Sequence, residues 1–310
     1  MVKIPEVSIV VPVYNAAGYL RETLAALLSQ TLANFEILVI DDGSVDGSGD
    51  IALSLKDDRI RVIRQENRGL CHALNRGIEE ARAPYIARND HDDISFPHRL
   101  ERQLSVMKEH PEALGLFAFY AKFGARHRWA NTDKFVMTGD KVRPYDPLKD
   151  GCLLASTMFA RTDALRSLQG FRQEYYPADD WDLELRFSQT GKVLVVCEPL
   201  VTYRFHSGAN TYRLFAPMQQ KSRWAEDSYQ RRLQDAPELT FQEFLTAQPD
   251  DWGTRLQQRR IDIAKLKMRT AGQNYLDGHY FSAACQLTLA VVLNPMDLIQ
   301  RVTRLRHRPS

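Results

Sequence analysis

The stretch VSIVVPVYNAAGYLRETLAALLSQT, residues 7–31, contains the pattern that indicates the fold. Its first part, Val7–Val13, is a β-branched apolar run of strand length, which is typical of a buried parallel strand. After a short turn, leucines recur at helical spacing, at Leu20, Leu24, Leu27 and Leu28. A buried strand followed at once by an amphipathic helix predicts a β–α unit of a parallel sheet.

The same alternation of apolar runs and helical patterns continues downstream. Further strands are predicted at Phe35–Ile40, Ile60–Ile63, Tyr85–Arg88, Leu114–Phe123, Leu153–Ala160, Val193–Val196 and Leu200–Phe205. Helices are predicted at Asp46–Leu55, Gly69–Ala81, His98–His110, Thr162–Phe171 and Asp179–Gly191. The sequence therefore predicts an α/β fold with a mixed, mostly parallel sheet flanked by helices.

Composition narrows the class of protein. The 310 residues suffice for a large core, and a net charge of +2 gives no support for a nucleic-acid partner. The four cysteines contain no CxxC pair, so neither a zinc ribbon nor a disulfide framework is indicated. The N-terminus resembles no signal peptide, and no apolar run reaches the ~18 residues of a spanning helix. We expect a cytoplasmic protein, or one bound peripherally to the inner face of the membrane.

Polar residues cluster where three of the predicted strands end. They occupy Pro12–Asn15, Asp41–Ser44 and Asp90–Asp93. In open α/β sheets, ligands bind at the carboxyl ends of the strands. The convergence of three strand ends therefore predicts one binding site at this edge of the sheet.

The most acidic of these clusters lies in IARNDHDDISFPHRLERQ, residues 86–103. In an extended stretch Asp90 and Asp92 point the same way, and carboxylates this close raise one another's pKa unless a cation intervenes. Mg²⁺ or Mn²⁺, which also binds diphosphate oxygens, would relieve the repulsion. The alternative is an acidic loop that caps the following helix, a role open to Asp93.

Four blocks of the sequence together resemble the family 2 glycosyltransferases, inverting enzymes with the GT-A fold. The blocks are VSIVVPVYNAAGYLRETLAALLSQT, FEILVIDDGSVDGS, ENRGLCHALNRGIEEARAPYIARNDHDDISFPHRLERQ and PADDWDLELRFSQTG. The similarity covers about the first 210 residues, with the blocks in the family's order and spacing. The resemblance implies a GT-A (Rossmann-like) catalytic domain, a nucleotide-sugar donor and a divalent metal cofactor.

The resemblance also implies which residues bind the nucleotide. Pro12, Tyr14 and Asn15 match the family's P-V-Y-N, and Tyr14 would stack on the base, unless it is a core or hinge tyrosine. Asp42 would accept a hydrogen bond from the pyrimidine N–H, whereas its neighbour Asp41 could instead brace the turn. Gly43 and Ser44 also fit plain turn chemistry.

A second segment of the predicted nucleotide site is NRGLCHALNRG, which places three residues near the nucleotide: Asn67, Arg68 and Gly69. Two positions depart from the family's pattern. Leu74 precedes Asn75 where the family often has Arg, and His91 is bulkier than the small residue usual between the two aspartates. Both departures affect the donor pocket, and neither removes a carboxylate.

By the same resemblance, Asp90 lies near the ribose and the metal, and Asp92 ligates the metal, which is Mn²⁺ or Mg²⁺. The late block YRFHSGANT resembles the family's Y-R-x-H, so His206 would be a further ligand. A histidine that follows a strand also has a purely structural interpretation.

An inverting transfer needs a base near the acceptor hydroxyl. The family places it in an acidic pair that opens a helix, and PADDWDLELR contains Asp179 and Asp180 there. Asp180 is identified as the base, with Asp179 as the second choice, although helix capping would also favour an acidic residue. Trp181 would form an acceptor platform or simply pack.

The domain prediction divides the chain at residue 213. Residues 1–213 form the catalytic domain, with a nucleotide-sugar half to about residue 110 and an acceptor half beyond it. Residues 214–310 form a helical C-terminal region, expected to pack on the first domain because no clean linker separates them. Its last helices turn at Asp277–Gly278. They end in basic sequence that suits either an anionic membrane surface or a cover for the catalytic domain.

The predicted function is metal-dependent, inverting transfer of a sugar from a UDP-sugar to a hydroxyl. The acceptor would be a glycan or lipid-linked glycan in polysaccharide, lipopolysaccharide or glycoconjugate assembly. Alternatives are a catalytically degenerate sugar- or partner-binding relative, and a nucleotidyltransferase. PVYNAAGY lacks the Gly-rich basic loop of the latter, and no G-x-G-x-x-G follows the first strand as in dinucleotide-binding oxidoreductases.

Overall fold

The computed structural model describes residues 4–123, 130–131, 141–204, 213–248 and 251–295. The strands are β1 Val7–Val13, β2 Phe35–Asp41, β3 Ile60–Arg64, β4 Tyr85–Arg88, β5 Ile94–Ser95, β6 Ala113–Phe123, β7 Ala130–Asn131, β8 Val142–Pro144, β9 Phe159–Arg161 and β10 Lys192–Arg204. The helices are α1 Leu20–Leu28, α2 Ser48–Ser54, α3 Leu70–Glu80, α4 Arg99–Glu109, α5 Pro147–Asp150, α6 Thr162–Ser167, α7 Asp179–Thr190, α8 Phe215–Leu233, α9 Phe241–Ala247, α10 Trp252–Leu276 and α11 Tyr280–Leu293.

One sheet joins these strands in the order β3-β2-β1-β4-β9-β6-β10-β5, with β7 and β8 pairing at its second half. The first four strands pair in parallel, as does the long pair β6 and β10. Strand β9 runs antiparallel to both of its neighbours and joins the two halves. The predicted mixed, mostly parallel sheet is therefore confirmed.

Helices cover both faces of the sheet because successive strand residues point to opposite sides. On one face, Ile9 and Val11 pack with the leucines of α1 and with residues of α4. On the other face, Val10 and Ile40 pack with apolar residues of α3, α6 and α7. The result is a three-layer arrangement that leaves the carboxyl ends of β1, β2 and β4 at one edge.

Two of the strand predictions were wrong in extent. Of the predicted strand Leu153–Ala160, only Phe159 and Ala160 lie in a strand, β9, because Thr157 donates from both its N–H and its hydroxyl to the Leu154 carbonyl and forms a 3₁₀ turn. The two late strands are one, β10, in which irregular pairing around Pro199 interrupts the register.

The C-terminal region packs on the catalytic region, as expected. Trp224 of α8 stacks on Tyr175, with ring centroids 3.8 Å apart and planes 8° apart, and Trp181 of α7 belongs to the same apolar cluster. Helices α10 and α11 meet at the predicted turn, where Gly278 has a φ of 80°. Within the described ranges, none of the helices has both the length and the apolar character needed to cross a bilayer. The division of the chain into a catalytic domain and a helical region at residue 213 stays a prediction.

Candidate active site

The ends of β1 and β2 are tied together by hydrogen bonds around Asn15. Its side-chain oxygen accepts from the Val45 N–H at 3.0 Å, and its own N–H donates to the Ser44 hydroxyl at 3.1 Å. Just before it, Tyr14 is 49% exposed, so its ring stands at the surface and is not a core tyrosine. Pro12 is buried in β1 opposite Ile40, where it supports the strand.

The buried Asp42 carboxylate organises the second segment of the predicted nucleotide site. It accepts hydrogen bonds from the Gln65 side chain at 2.7 Å, the Arg68 N–H at 3.0 Å and the Gly69 N–H at 2.8 Å. A carboxylate offers about four acceptor positions, and these contacts use three of them. Asp41 accepts from the Ser44 N–H, the turn-bracing role foreseen for it.

Two glycines let these loops approach each other closely. Gly43 has a φ of +77°, and a Cβ there would lie 2.9 Å from the Asn67 nitrogen. Gly69 has a φ of +92° and directly precedes α3. Asn67 and Arg68 are exposed beside them. The structure therefore brings the predicted nucleotide-site residues of both strand ends into one cluster.

Asp90 follows β4 and is held by a buried arginine. The Arg88 guanidinium donates to its two carboxylate oxygens at 2.9 and 3.4 Å, and the Asp90 N–H donates to the Ser156 hydroxyl at 3.0 Å. The Asp90 side chain keeps 29% of its surface exposed, whereas that of Arg88 keeps 5%. The Asp90 carboxylate therefore stays partly exposed to solvent while Arg88 and Ser156 hold it in place.

The rest of the acidic cluster is anchored through its backbone and through Asp93. The carbonyls of His91 and Asp92 accept from the Thr23 hydroxyl and the Arg204 guanidinium, both at 2.9 Å. Asp93 is buried, and one of its oxygens accepts from the Arg204 N–H at 3.1 Å. Asp93 therefore braces β10, which does not support the alternative that it caps the following helix.

The other oxygen of Asp93 is buried and has no hydrogen-bond partner among the described residues. Burial raises the pKa of this carboxyl well above its usual value, and the negative charges of Asp92 and Asp90 raise it further. A third carboxyl thus lies beside the two aspartates of the D-x-D segment.

The second acidic pair opens α7, where the sequence predicted it. Asp179 is buried, and burial followed by the charge of Asp180 raises its pKa to about 7, against the lowering effect of Arg88. Burial also raises the pKa of Asp180, which the Arg88 charge opposes. Asp180 is half-buried, and its Oδ1 accepts from the Trp181 N–H at 2.8 Å. The desolvation of the pair outweighs the helix N-terminus, which favours ionised carboxylates.

Arg88 is a buried residue of this region that the sequence analysis did not single out. Burial lowers its pKa, but the charges of Asp90 and of the Asp179–Asp180 pair outweigh this and raise it. Its Nη1 is buried without a hydrogen-bond partner among the described residues. The available signal was an arginine at the end of an apolar strand, two residues before an aspartate. Arg88 lies between the two acidic clusters and couples them electrostatically.

Trp181 and Leu74, two residues that the sequence analysis singled out, have structural roles. Trp181 is buried and donates from Nε1 to Glu226 of α8 at 3.2 Å, so it packs and does not form an acceptor platform. Leu74, the departure from the family's pattern, is buried in the core beside α6 and α7. Asn75, which follows it, both donates to and accepts from the Phe171 backbone at 2.8 Å.

The described residues would suit a divalent cation that takes only one or two of its ligands from the protein. Among them, no group of three or more His, Cys, Asp or Glu side chains is positioned to hold a metal. Mg²⁺ and Mn²⁺ in nucleotide sites need only one or two carboxylates, because phosphates and water complete the shell. Asp90 and Asp92 provide two carboxylates two positions apart in one loop, and Asp90 is partly exposed. His206, the predicted further ligand, lies outside the described residues.

Comparison with known proteins identifies the class. The profile of Glycosyl transferase family 2 matches residues 8–169. This chain therefore belongs to glycosyltransferase family 2. EpsE of Bacillus subtilis (strain 168), which its name assigns to the glycosyltransferases, is 32% identical over 203 residues, covering 60% of this chain and 68% of EpsE. An uncharacterised glycosyltransferase of Rickettsia bellii is 29% identical over 218 residues, which are 68% of this chain and 31% of that protein.

A solved structure shows the same fold. The structure of S. aureus TarS 1-349 in complex with UDP-GlcNAc superposes with a TM-score of 0.61 at 17% identity, covering 94% of this chain and 90% of that chain. The fold is therefore GT-A, as the sequence predicted.

Proposed function

We propose that this glycosyltransferase moves a sugar, with inversion, from a UDP-sugar to a hydroxyl of a glycan or lipid-linked glycan. The setting would be polysaccharide, lipopolysaccharide or glycoconjugate assembly. The observation that carries the proposal is the placement of Arg88 between Asp90 and the Asp179–Asp180 pair. A donor bound at Asp90 and an acceptor bound at the Asp179–Asp180 pair would then meet beside the buried Arg88 guanidinium.

Donor binding would use the cluster at the ends of β1 and β2. The exposed Tyr14 ring offers a face for a base, and such stacking contributes roughly 1–3 kcal/mol. The remaining acceptor position of Asp42 suits a pyrimidine N–H, while Asn67, Arg68 and Gly69 line the same cluster. That TarS was crystallised with UDP-GlcNAc is consistent with a uridine nucleotide here.

Asp92 and Asp90 would hold Mn²⁺ or Mg²⁺, and His206 remains a predicted further ligand. When bound, the cation would supply Lewis-acid stabilisation of the charge on the diphosphate. The chain's own part is to fix the Asp90 carboxylate against Arg88 and to anchor the backbone of His91 and Asp92.

Asp180 would act as the base. Its desolvated carboxylate has a raised pKa, which favours accepting a proton from an alcohol. As the acceptor oxygen attacks the anomeric carbon from the face opposite the diphosphate, the bond from that carbon to the diphosphate oxygen would break and UDP would leave. The hydroxyl proton would pass to a carboxylate oxygen of Asp180. A single displacement of this kind inverts the anomeric centre. Asp179 would keep the pair desolvated and is the second choice for the base.

Nucleotide release from a panel of donors tests the proposal. UDP- and GDP-sugars are incubated with the chain, with Mn²⁺ or with a chelator, and the freed nucleotide is measured. We expect release from a UDP-sugar that the chelator abolishes. Release from nucleoside triphosphates instead would favour a nucleotidyltransferase, and silence with every donor despite UDP binding would favour a degenerate relative.

Replacing Asp92 tests the metal site directly. In Asp92→Ala, we expect the Mn²⁺-supported affinity for UDP to fall by about 10-fold or more, because the cation loses a carboxylate ligand. Isothermal titration with UDP, with and without Mn²⁺, measures it. Asp163→Asn, an exposed aspartate in the first turn of α6, is the matched control. An unchanged Mn²⁺ dependence in Asp92→Ala would refute its assignment as a ligand.

A further inference from the structure

Helix α11 exposes an unusual surface for a protein in water. None of its residues, YFSAACQLTLAVVL, is charged. Several of its large apolar side chains are exposed: Tyr280, Phe281, Leu287, Leu289 and Val292. Phe281 is 86% and Val292 is 68% exposed, which is extreme for such side chains. Exposed apolar patches of this kind mark sites that meet another apolar phase.

The outward face of α11 follows from how the helix packs. Its fully buried positions are Ala283 and Ala290, seven residues apart and therefore on one face, against α10. Phe281, Leu289 and Val292, at spacings of eight and three residues, share another face. Because small residues make the inner contact, the bulky side chains are left on the surface.

Helix α10 supplies positive charge beside that apolar helix. It contains six Lys or Arg side chains and one Asp, and that Asp262 is paired with Arg223 of α8. Trp252, Arg255, Arg259 and Ile263 are exposed at three- and four-residue spacing, so they form one mixed basic and apolar stripe. In sequence, residues 296–310 add four arginines and one aspartate.

We propose that the α10–α11 hairpin docks on the surface of an anionic lipid bilayer. The apolar side chains of α11 enter the boundary between headgroups and acyl chains, and the basic residues of α10 meet lipid phosphates. Both parts are what interfacial helices use, apolar burial together with attraction to anionic lipid.

Charge distinguishes this occupant from a second copy of the chain. A second copy carries the same net charge of +2 and the same basic helix α10, so its hairpin does not complement this one in charge. Like charges across an interface oppose association. An anionic surface, in contrast, complements the exposed Arg255 and Arg259 of α10.

The hairpin is joined to the catalytic region through α8. Arg223 and Gln219 of α8 contact Asp262 and Lys265 of α10, and α8 packs on α7, which begins with the Asp179–Asp180 pair. On the proposed function, surface docking would hold the acceptor side of the site near membrane-bound acceptors. The docking itself does not depend on catalysis.

Vesicle flotation of the full chain tests the inference. Vesicles of phosphatidylcholine alone are compared with vesicles containing roughly 30 mol% phosphatidylglycerol. We expect the chain to float with the anionic vesicles only, and the bound fraction to fall in ~0.5 M NaCl. Phe281→Ser with Val292→Ser, and separately Arg255→Glu with Arg259→Glu, should each lower the partition coefficient about tenfold or more.

The matched control is Leu53→Ser with Leu148→Ser, which changes two exposed leucines of the catalytic region and should leave flotation unchanged. Thermal melts confirm that each variant is folded, and UDP release in solution, expected to be the same in all, separates loss of docking from loss of activity. Equal binding to neutral vesicles, no binding to either kind, or unchanged binding of both α10 and α11 variants would overturn the inference. So would a dimer in light scattering that the α11 variant dissociates while vesicles capture nothing.

Discussion

The two acidic clusters of this protein use the same residue type in opposite surroundings. After β4, Asp90 is partly exposed, and its carboxylate accepts hydrogen bonds from Nε and Nη2 of Arg88. At the start of α7, Asp179 is buried, and its Oδ2 has no hydrogen-bond partner among the described residues. There, burial followed by the charge of Asp180 raises the pKa of Asp179 to about 7.

The difference teaches how one arginine can serve two kinds of carboxylate. A carboxylate paired directly with a cation stays ionised and suits a ligand for phosphate-bound metal. A carboxylate that is desolvated, with the cation acting only at a distance, becomes more basic and suits a proton acceptor. Arg88 therefore sets the contrast, because it binds Asp90 and only partly offsets the burial of Asp179 and Asp180.

Removing the base should produce the largest effect. Asp180→Asn keeps the shape of the side chain but cannot accept the proton, so we expect kcat to fall about 10³-fold. UDP affinity in the presence of Mn²⁺ should stay as in the wild type. Steady-state UDP release and titration calorimetry measure the two quantities. Asp163→Asn, also acidic at a helix start, is the control, and full turnover in Asp180→Asn would exclude it as the base.

Removing the shared cation should have the next largest effect. In Arg88→Met, Asp90 and Asp179 lose their buried counter-charge, so we expect the free energy of unfolding at neutral pH to fall by about 3 kcal/mol. Urea denaturation measures the change, and the exposed Arg82→Met is the control. Adding Asp179→Asn should restore part of the loss, because one uncompensated charge disappears. Equal stability of Arg88→Met and Arg82→Met would show that the two clusters are independent.

The sequence predicted the fold best where elements are long and apolar. Strand β1 and the turn at Asp277–Gly278 were predicted correctly, because local pattern alone decides them. The strands Ile94–Ser95 and Val142–Pro144 were missed, because runs of two or three residues have no periodicity and depend on pairing with β10. The run Leu153–Ala160 was misassigned because apolar content does not reveal the turn at Thr157.

The residues of the candidate site likewise fall into those that local sequence predicts and those that it does not. Asp42 and Asp180 were predicted from motifs that are contiguous in sequence. Arg88 was missed because its importance comes from a carboxylate pair more than 90 positions away along the chain, which only the folded sheet brings near. Likewise, nothing local to Asp93 indicates that it receives the Arg204 N–H. Long-range electrostatics and burial were the information that local pattern could not provide.

The smallest of these effects is a pH dependence of stability that belongs to Asp179. Its pKa is about 7 in the folded protein and near 3.8 when solvated, so the native state binds more protons between those values. The group's contribution to stability is therefore complete below about pH 4 and is lost as pH rises through about 7. Asp179→Asn removes this pH dependence. From pH 5 to pH 8, the free energy of unfolding of the variant should therefore rise by about 2 kcal/mol relative to that of the wild type.

Urea denaturation of both proteins at the two pH values measures the gain, and Asp163→Asn, at an exposed helix start, reports the background. If burial of Asp179 is what separates the two acidic clusters, the stability curves of wild type and Asp179→Asn diverge as pH rises while the control stays parallel to the wild type. Parallel curves for all three proteins would mean that burial does not raise the pKa of Asp179. The contrast between the clusters would then lie in position alone and not in protonation.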